Sequence, residues 1–129
     1  GGARVILLGA RPPAEVAVAY RAADLFVLPS EREGWPNVVT EALASGLRVV
    51  ATRVGGIPQI LGDRQTEDPS IGALVPSGDQ EALTRTLREV LAVPGDRQHV
   101  RRFAERYGWT EPIAQLVRVF ERALAGSKA

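Results

Sequence analysis

Glu33 and Glu41 stand eight residues apart in the stretch PSEREGWPNVVTEALASG, residues 29–46, with Gly34, Trp35, Pro36 and Asn37 between them. If a loop turns into a helix there, one carboxylate precedes the helix start and the other lies one turn inside it. A helix beginning near Asn37 presents unpaired N–H groups and the positive end of its dipole, a ready anion site and most naturally one for phosphate. Gly34 lets the backbone come close to a ligand. Pro36 has no N–H to donate, but its fixed φ suits a helix start. Asn37 and Val38 then supply the first useful amides. Glu41 can accept two hydrogen bonds from vicinal hydroxyls, as a ribose presents them, and Glu33 can take hydroxyls at the other end of the same ligand. Ribose, pyrophosphate and sugar in that order describe a nucleotide-sugar. The plainer reading is that the dipole favours a glutamate in a first helical turn whatever its function. On that reading Glu33, beside Glu31 and Arg32, is a solvated loop charge. Spacing alone leaves both readings open.

The elements around the pair are legible from periodicity. Arg4–Gly9 (RVILLG) reads as a buried strand, Leu25–Ser30 as a second, Leu47–Thr52 as a third and Ile71–Pro76 as a fourth. Between them lie a helix opened by Pro12 and Pro13, a helix from Asn37 to Ser45 stopped by Gly46, and a short helix over Ile57–Leu61 after the Gly55–Gly56 turn. Residues 62–70 read as a polar loop. Beyond Pro76 the pattern is helical. An Asp79 cap precedes Leu83, Leu87 and Leu91 at four-residue spacing, a second helix spans DRQHVRRFAERYG, and a last one is opened by Thr110 and Pro112. Apolar strands alternating with helices predict an α/β fold, an open parallel sheet with helices on both faces. Such sheets bind ligands beyond the carboxyl ends of their strands. The loops Pro29–Asn37 and Thr52–Pro58 both fall there.

Composition narrows the class. The 129 residues suit one domain, with 45% hydrophobic and 24% charged residues. A formal charge of +1 leaves no electrostatic footprint for nucleic acid or for an anionic membrane. No apolar run approaches the roughly 20 residues of a membrane span, and no leader is visible. The absence of cysteine excludes disulfides and cysteine zinc sites and suits a reducing, cytoplasmic compartment. With no methionine and a Gly-Gly-Ala start, the sequence reads as a piece of something longer.

The stretch DLFVLPSEREGWPNVVTEALASGLRVVATRVGGIPQIL resembles the carboxyl-terminal domain of the family 4 retaining glycosyltransferases, which have the GT-B fold and an E-x7-E motif. The likeness runs from Arg4 to about Leu124 and includes YRAADLFVLPS, GALVPSGD and YGWT. It implies a single Rossmann-like nucleotide-sugar-binding domain over residues 1–129, part of a two-domain enzyme whose amino-terminal acceptor domain is missing. It implies sugar transfer from a UDP-, GDP- or ADP-linked donor with retention of configuration. Glu33 would be the catalytic-site carboxylate on the donor sugar, Glu41 would hold the ribose, and the amides of Asn37 and Val38 the pyrophosphate. Gly34, Trp35 and Pro36 would line the donor, and Gly9, Ala10 and Arg11 would lie near the base. No metal and no cofactor are implied, since GT-B enzymes generally neutralise the leaving diphosphate with helix amides and basic side chains. No nucleic-acid partner is implied, and membrane contact only through the parent enzyme.

Some residues depart from the pattern. The family's Arg/Lys pair precedes the segment matching Arg4–Gly9 and is absent, so the fragment alone is expected to be inactive. Gln59 replaces a common Glu, and Arg48, where a Pro is common, reads as peripheral. His99 and the Arg101, Arg102 and Arg106 face read as exposed, and Trp109 as a packing anchor. Trp35 fits loop packing as well as ligand contact. Two other functional readings stand beside this one. The first is a GT-B-like nucleotide-binding module without transfer activity. The second is a relative of glycogen-synthase-type enzymes or sugar-nucleotide epimerases. An open sheet edge, liable to pair with another chain, is a further expectation.

Overall fold

The computed structural model describes residues 2–61 and 68–106, together with 118, 122 and 125. Most of the expected helix opened by Thr110 and Pro112, the Trp109 anchor, the Arg106 side chain and most of the 62–70 loop lie outside the described residues.

Eight elements follow in order: α1 (Pro13–Ala22), β1 (Phe26–Leu28), α2 (Asn37–Ala44), β2 (Val49–Thr52), α3 (Ile57–Leu61), β3 (Gly72–Val75), α4 (Gln80–Ala92) and α5 (Arg97–Arg106). The three strands form one parallel sheet in the order β1-β2-β3. Phe26 is opposite Val49 and Val49 opposite Gly72, so residues of one parity line each face. Val49 and Ala51, with Phe26, Leu28 and Leu74, join Val39, Leu43, Ile57, Ile60, Val100 and Phe103 from α2, α3 and α5. On the other face Val50, Val75 and Ala73 pack with Ala82, Leu83, Leu87 and Val90 of α4. The expected α/β sheet with helices on both faces is what forms. The β2 pattern, fully buried over Val49–Thr52, is that of a strand with neighbours on both sides and cover above and below.

Arg4–Gly9 is not a buried strand. Among the described residues no strand lies beside it, and Val5, Ile6, Leu7 and Leu8 are exposed. An extended segment must exchange its N–H and C=O groups with a neighbour before its side chains are covered. The apolar run therefore meets the composition of a strand without its pairing. Among the described residues β1 has no partner strand on its outer side.

Arg48 is not peripheral. It is 6% exposed, and its Nη1 donates to the carbonyls of Val90 at 2.7 Å and Val93 at 2.8 Å, the end of α4. The last carbonyls of a helix have no internal partner, and a guanidinium there satisfies them and complements the dipole. In α4 the expected Asp79 cap forms, accepting from the Ala82 amide at 2.9 Å. Its buried residues are Ala82 and Val90, however, and Leu91 is exposed: a repeat of four runs ahead of the 3.6-residue turn and drifts off the sheet. His99 is half-buried, its Nε2 3.0 Å from Ser70 Oγ, because α5 lays that face on the turn before β3. Arg101 and Arg102 are exposed.

Candidate functional site

Glu33 owes its position to two strand ends. β1 stops before Pro29, and the chain continues through Ser30. The buried Thr52 at the end of β2 donates its hydroxyl to the Ser30 carbonyl at 2.5 Å. The Ser30 hydroxyl donates in turn to Glu33 Oε1 at 3.1 Å. The loop after β2 is pressed against the same segment. Gly56 donates its amide to the Gly34 carbonyl at 2.6 Å. Gly55 has φ +55°, and a Cβ there would stand 1.8 Å from the Glu33 carbonyl oxygen. At Gly56 a Cβ would stand 2.4 Å from the Trp35 ring. Only glycine permits this backbone-to-backbone approach. Trp35 covers Gly56 in this way and is still 42% exposed, so it both packs and faces out.

α2 begins with an unusual asymmetry. Pro36 is its N-cap residue and no side chain bonds that end. Asn37 and Val38 are exposed in the first turn. Thr40 Oγ1 donates backwards to the Asn37 carbonyl at 2.8 Å and leaves the amides alone. The opposite end is thoroughly closed. Gly46, at φ +82°, ends the helix, and Arg97 from α5 donates to the Ser45 carbonyl at 3.2 Å. The negative end of the dipole thus has a cation, while the N-cap residue at the positive end offers no side-chain cap.

Glu41 lies one turn along α2, half-buried. Tyr20 of α1 is the titratable neighbour that bears on its charge. Loss of water pushes the Glu41 pKa above its ordinary value, and Tyr20 pulls the other way. Burial and then the nearby Glu41 charge push the Tyr20 phenol up to about 12.

The structure brings Glu33, Gly34, Trp35, Pro36, Asn37, Val38 and Glu41 to one edge of the sheet, at the carboxyl ends of its strands. Gly9, Ala10 and Arg11 are not tied to that edge by their hydrogen bonds, which are local: Arg11 Nε donates to the Leu8 carbonyl at 2.8 Å and Nη1 pairs with Glu15 at 3.6 Å. A separate cavity of about 490 Å³ opens beside the strand ends, walled by Pro29, Glu31, Thr52, Val75, Pro76 and Asp79; neither Glu33 nor Glu41 lines it. Among the described residues no group of three or more His, Cys, Asp or Glu is gathered as metal ligands would be. None of their helices is long and apolar enough to cross a membrane. Ser30 and Thr52, which brace Glu33, were not found by the spacing argument. The available signal was a hydroxyl closing the otherwise apolar VVAT strand.

The family model described as Glycosyl transferases group 1 matches residues 1–107. A D-inositol 3-phosphate glycosyltransferase of Corynebacterium glutamicum is 34% identical over 128 residues, covering 95% of this chain and 29% of its own length. A sulfoquinovosyl transferase of Arabidopsis thaliana is 38% identical over 112 residues, with 84% and 22% covered. An MMP alpha-(1->4)-mannosyltransferase of Mycolicibacterium hassiacum is 33% identical over 116 residues, with 86% and 27% covered. Among solved structures, a sucrose-phosphate synthase of Thermosynechococcus elongatus superposes with TM-score 0.54 at 30% identity, over 87% of this chain and 28% of that one. The chain therefore spans under a third of the length of these relatives.

Proposed function

Because the chain belongs to the glycosyl transferases group 1 family, we propose that it is the donor-binding part of a retaining glycosyltransferase that takes a UDP-, GDP- or ADP-linked sugar. In this reading it is the carboxyl-terminal domain of a larger family 4 protein, which supplies the acceptor site. The observation that carries the proposal is the exposed, side-chain-free amino end of α2 standing between two carboxylates. The amides of Asn37 and Val38 take the diphosphate, where helix end and dipole favour negative charge. Glu41 accepts the two ribose hydroxyls. Glu33, braced by Ser30, accepts hydroxyls of the sugar and fixes its face towards the acceptor. Trp35 and Gly34 border the sugar, and Pro36 sets the helix start.

In the reaction the bond from the anomeric carbon to the diphosphate oxygen breaks, and its electron pair leaves with the nucleoside diphosphate. The acceptor hydroxyl oxygen bonds that carbon on the same face, and its proton passes to the departing diphosphate oxygen. Charge grows on the diphosphate as the bond breaks, so donors already aimed at it lower the barrier. The α2 amides are such donors, and basic side chains from the rest of the protein complete the set. The reaction is placed in the cytoplasm, without a metal.

The proposal is tested by calorimetric titration of the protein with UDP, GDP, ADP and their sugars, before and after Glu41→Ala and Glu33→Ala. Glu41→Ala weakens nucleoside diphosphates and nucleotide-sugars alike. Glu33→Ala weakens only the nucleotide-sugars. Unchanged binding in both variants overturns the assignment.

A further inference from the structure

We propose that the cavity at the start of α4 is an acceptor subsite on this domain, taking a neutral, hydroxyl-rich ring such as a sugar or a polyol. The acceptor role rests on the donor reading given above; the ligand class rests on the cavity alone. The cavity holds about 490 Å³, within the range of small-molecule sites and ample for one ring.

Its place follows from the strands. Thr52 and Val75 are register partners at the ends of β2 and β3. Thr52 shares the parity of Val50, which with Val75 packs towards α4. Both therefore line the cavity from the α4 face, and Asp79, Gln80 and Leu83 close it from the start of that helix. α2 packs on the opposite face with α3 and α5. The loop after β1 lies between the two. Pro29 and Glu31 wall the cavity, and Ser30 between them is held by the Thr52 hydroxyl. Two residues beyond Glu31 the same loop reaches Glu33, braced by Ser30. A donor sugar taken by Glu33 thus has α2 on one side and the cavity on the other. A second substrate must be held beside that sugar for transfer to occur.

The wall decides what enters. Pro29, Val75, Pro76 and Leu83 are apolar and suit the C–H face of a sugar ring. Glu31 and Asp79 supply carboxylate oxygens that accept hydroxyls. Asp79 uses one acceptor position on the Ala82 amide at 2.9 Å, of about four that a carboxylate has. The same bond caps the amino end of α4, unlike that of α2. Among the described residues no Lys, Arg or His lines the cavity. A phosphate there would meet two carboxylates and no cation, so the ligand is uncharged where it enters.

The test follows backbone amide signals of the protein by NMR during titration with methyl glucoside, methyl mannoside and myo-inositol, with inorganic phosphate as the anionic probe. At least one neutral probe is expected to give saturable shifts centred on Glu31, Thr52, Asp79 and Gln80, and phosphate none there. Glu31→Ala and Asp79→Asn are expected to weaken that probe by about three- to tenfold. Glu31 is exposed, and Asn caps a helix as Asp does, so both variants keep the fold, which the dispersion of the spectrum checks. The probe's affinity is expected to persist under saturating UDP, GDP or ADP. No saturable shift, shifts centred on Glu33 to Val38, displacement by a nucleoside diphosphate, or equal affinity in both variants overturns the inference. So does phosphate acting on the same residues. If UDP, GDP and ADP all leave the Asn37 and Val38 amides unmoved, the donor reading itself fails, and the acceptor role fails with it even where a sugar fills the cavity.

Discussion

The Thr52 hydroxyl reaches across from β2 to the Ser30 carbonyl, 22 residues earlier in the chain, at 2.5 Å. That bond starts a relay, Thr52 to Ser30 to Glu33, by which a buried strand end sets a half-buried carboxylate. Thr52→Val keeps the shape and removes the donor, leaving a part-buried carbonyl unanswered. The expected loss of stability is about 1–3 kcal/mol by urea unfolding. Nucleotide-sugar affinity falls while nucleoside diphosphate affinity stays near its starting value, because only the Glu33 end is released.

Gly55 and Gly34 should separate folding from binding. Gly55→Ala places a methyl group into the Glu33 carbonyl at a positive φ, so the two loops must part. It destabilises by more than about 1 kcal/mol and lowers the thermal midpoint. A Cβ at Gly34 meets nothing within 4 Å. Gly34→Ala therefore leaves the midpoint near that of the parent, and calorimetry finds its cost in nucleotide-sugar affinity.

The pH dependence has a definite sign. The Glu41 pKa is raised in the fold, so the fold favours the protonated form. The stability this group lends is full below the ordinary carboxylate range and is lost as pH rises through its folded pKa. At neutral pH the ionised carboxylate is a cost that Glu41→Gln removes. The ligand-free variant is expected to melt higher at pH 7, with the gain shrinking towards about pH 4. Binding runs the opposite way in the parent, falling as acid protonates Glu41. Calorimetry and thermal scans over the same pH series check both.

Arg48 should behave as a buried structural cation. Arg48→Met removes donors from the Val90 and Val93 carbonyls and is expected to destabilise by about 2–4 kcal/mol in urea unfolding. Arg48→Lys recovers only part, because a single ammonium cannot reproduce the planar guanidinium fork.

These cases show which features a sequence carries on its face. The three strands, α2 and α4 were legible because each is written within a few residues: apolar runs, a Pro before and a Gly after, an Asp cap. The Arg4–Gly9 run failed because a strand needs a neighbour, and composition does not name one. Arg48 failed for a related reason, since its acceptors lie 42 and 45 residues away. The glutamate pair was visible by spacing, but its braces were not. Thr52 acts through a pairing with a residue 22 positions earlier, which no local pattern records. The role proposed for the pair rests on the family likeness, which local periodicity does not carry.

Arg97 sets an order of events. Its acceptors at Tyr20 and Ser45 precede it by 77 and 52 residues. The segment bearing Tyr20, Glu33 and Glu41 is therefore synthesised well before the residue that ties its helices together. Closing such long loops comes late in folding, since their entropy must be overcome before the contact rewards it. A nascent chain stalled before α5 would hold the proposed ligand-facing residues of α2 and its preceding loop and still lack the tie between the ends of α1 and α2. Within this domain the proposed site is made before the residue that joins its helices.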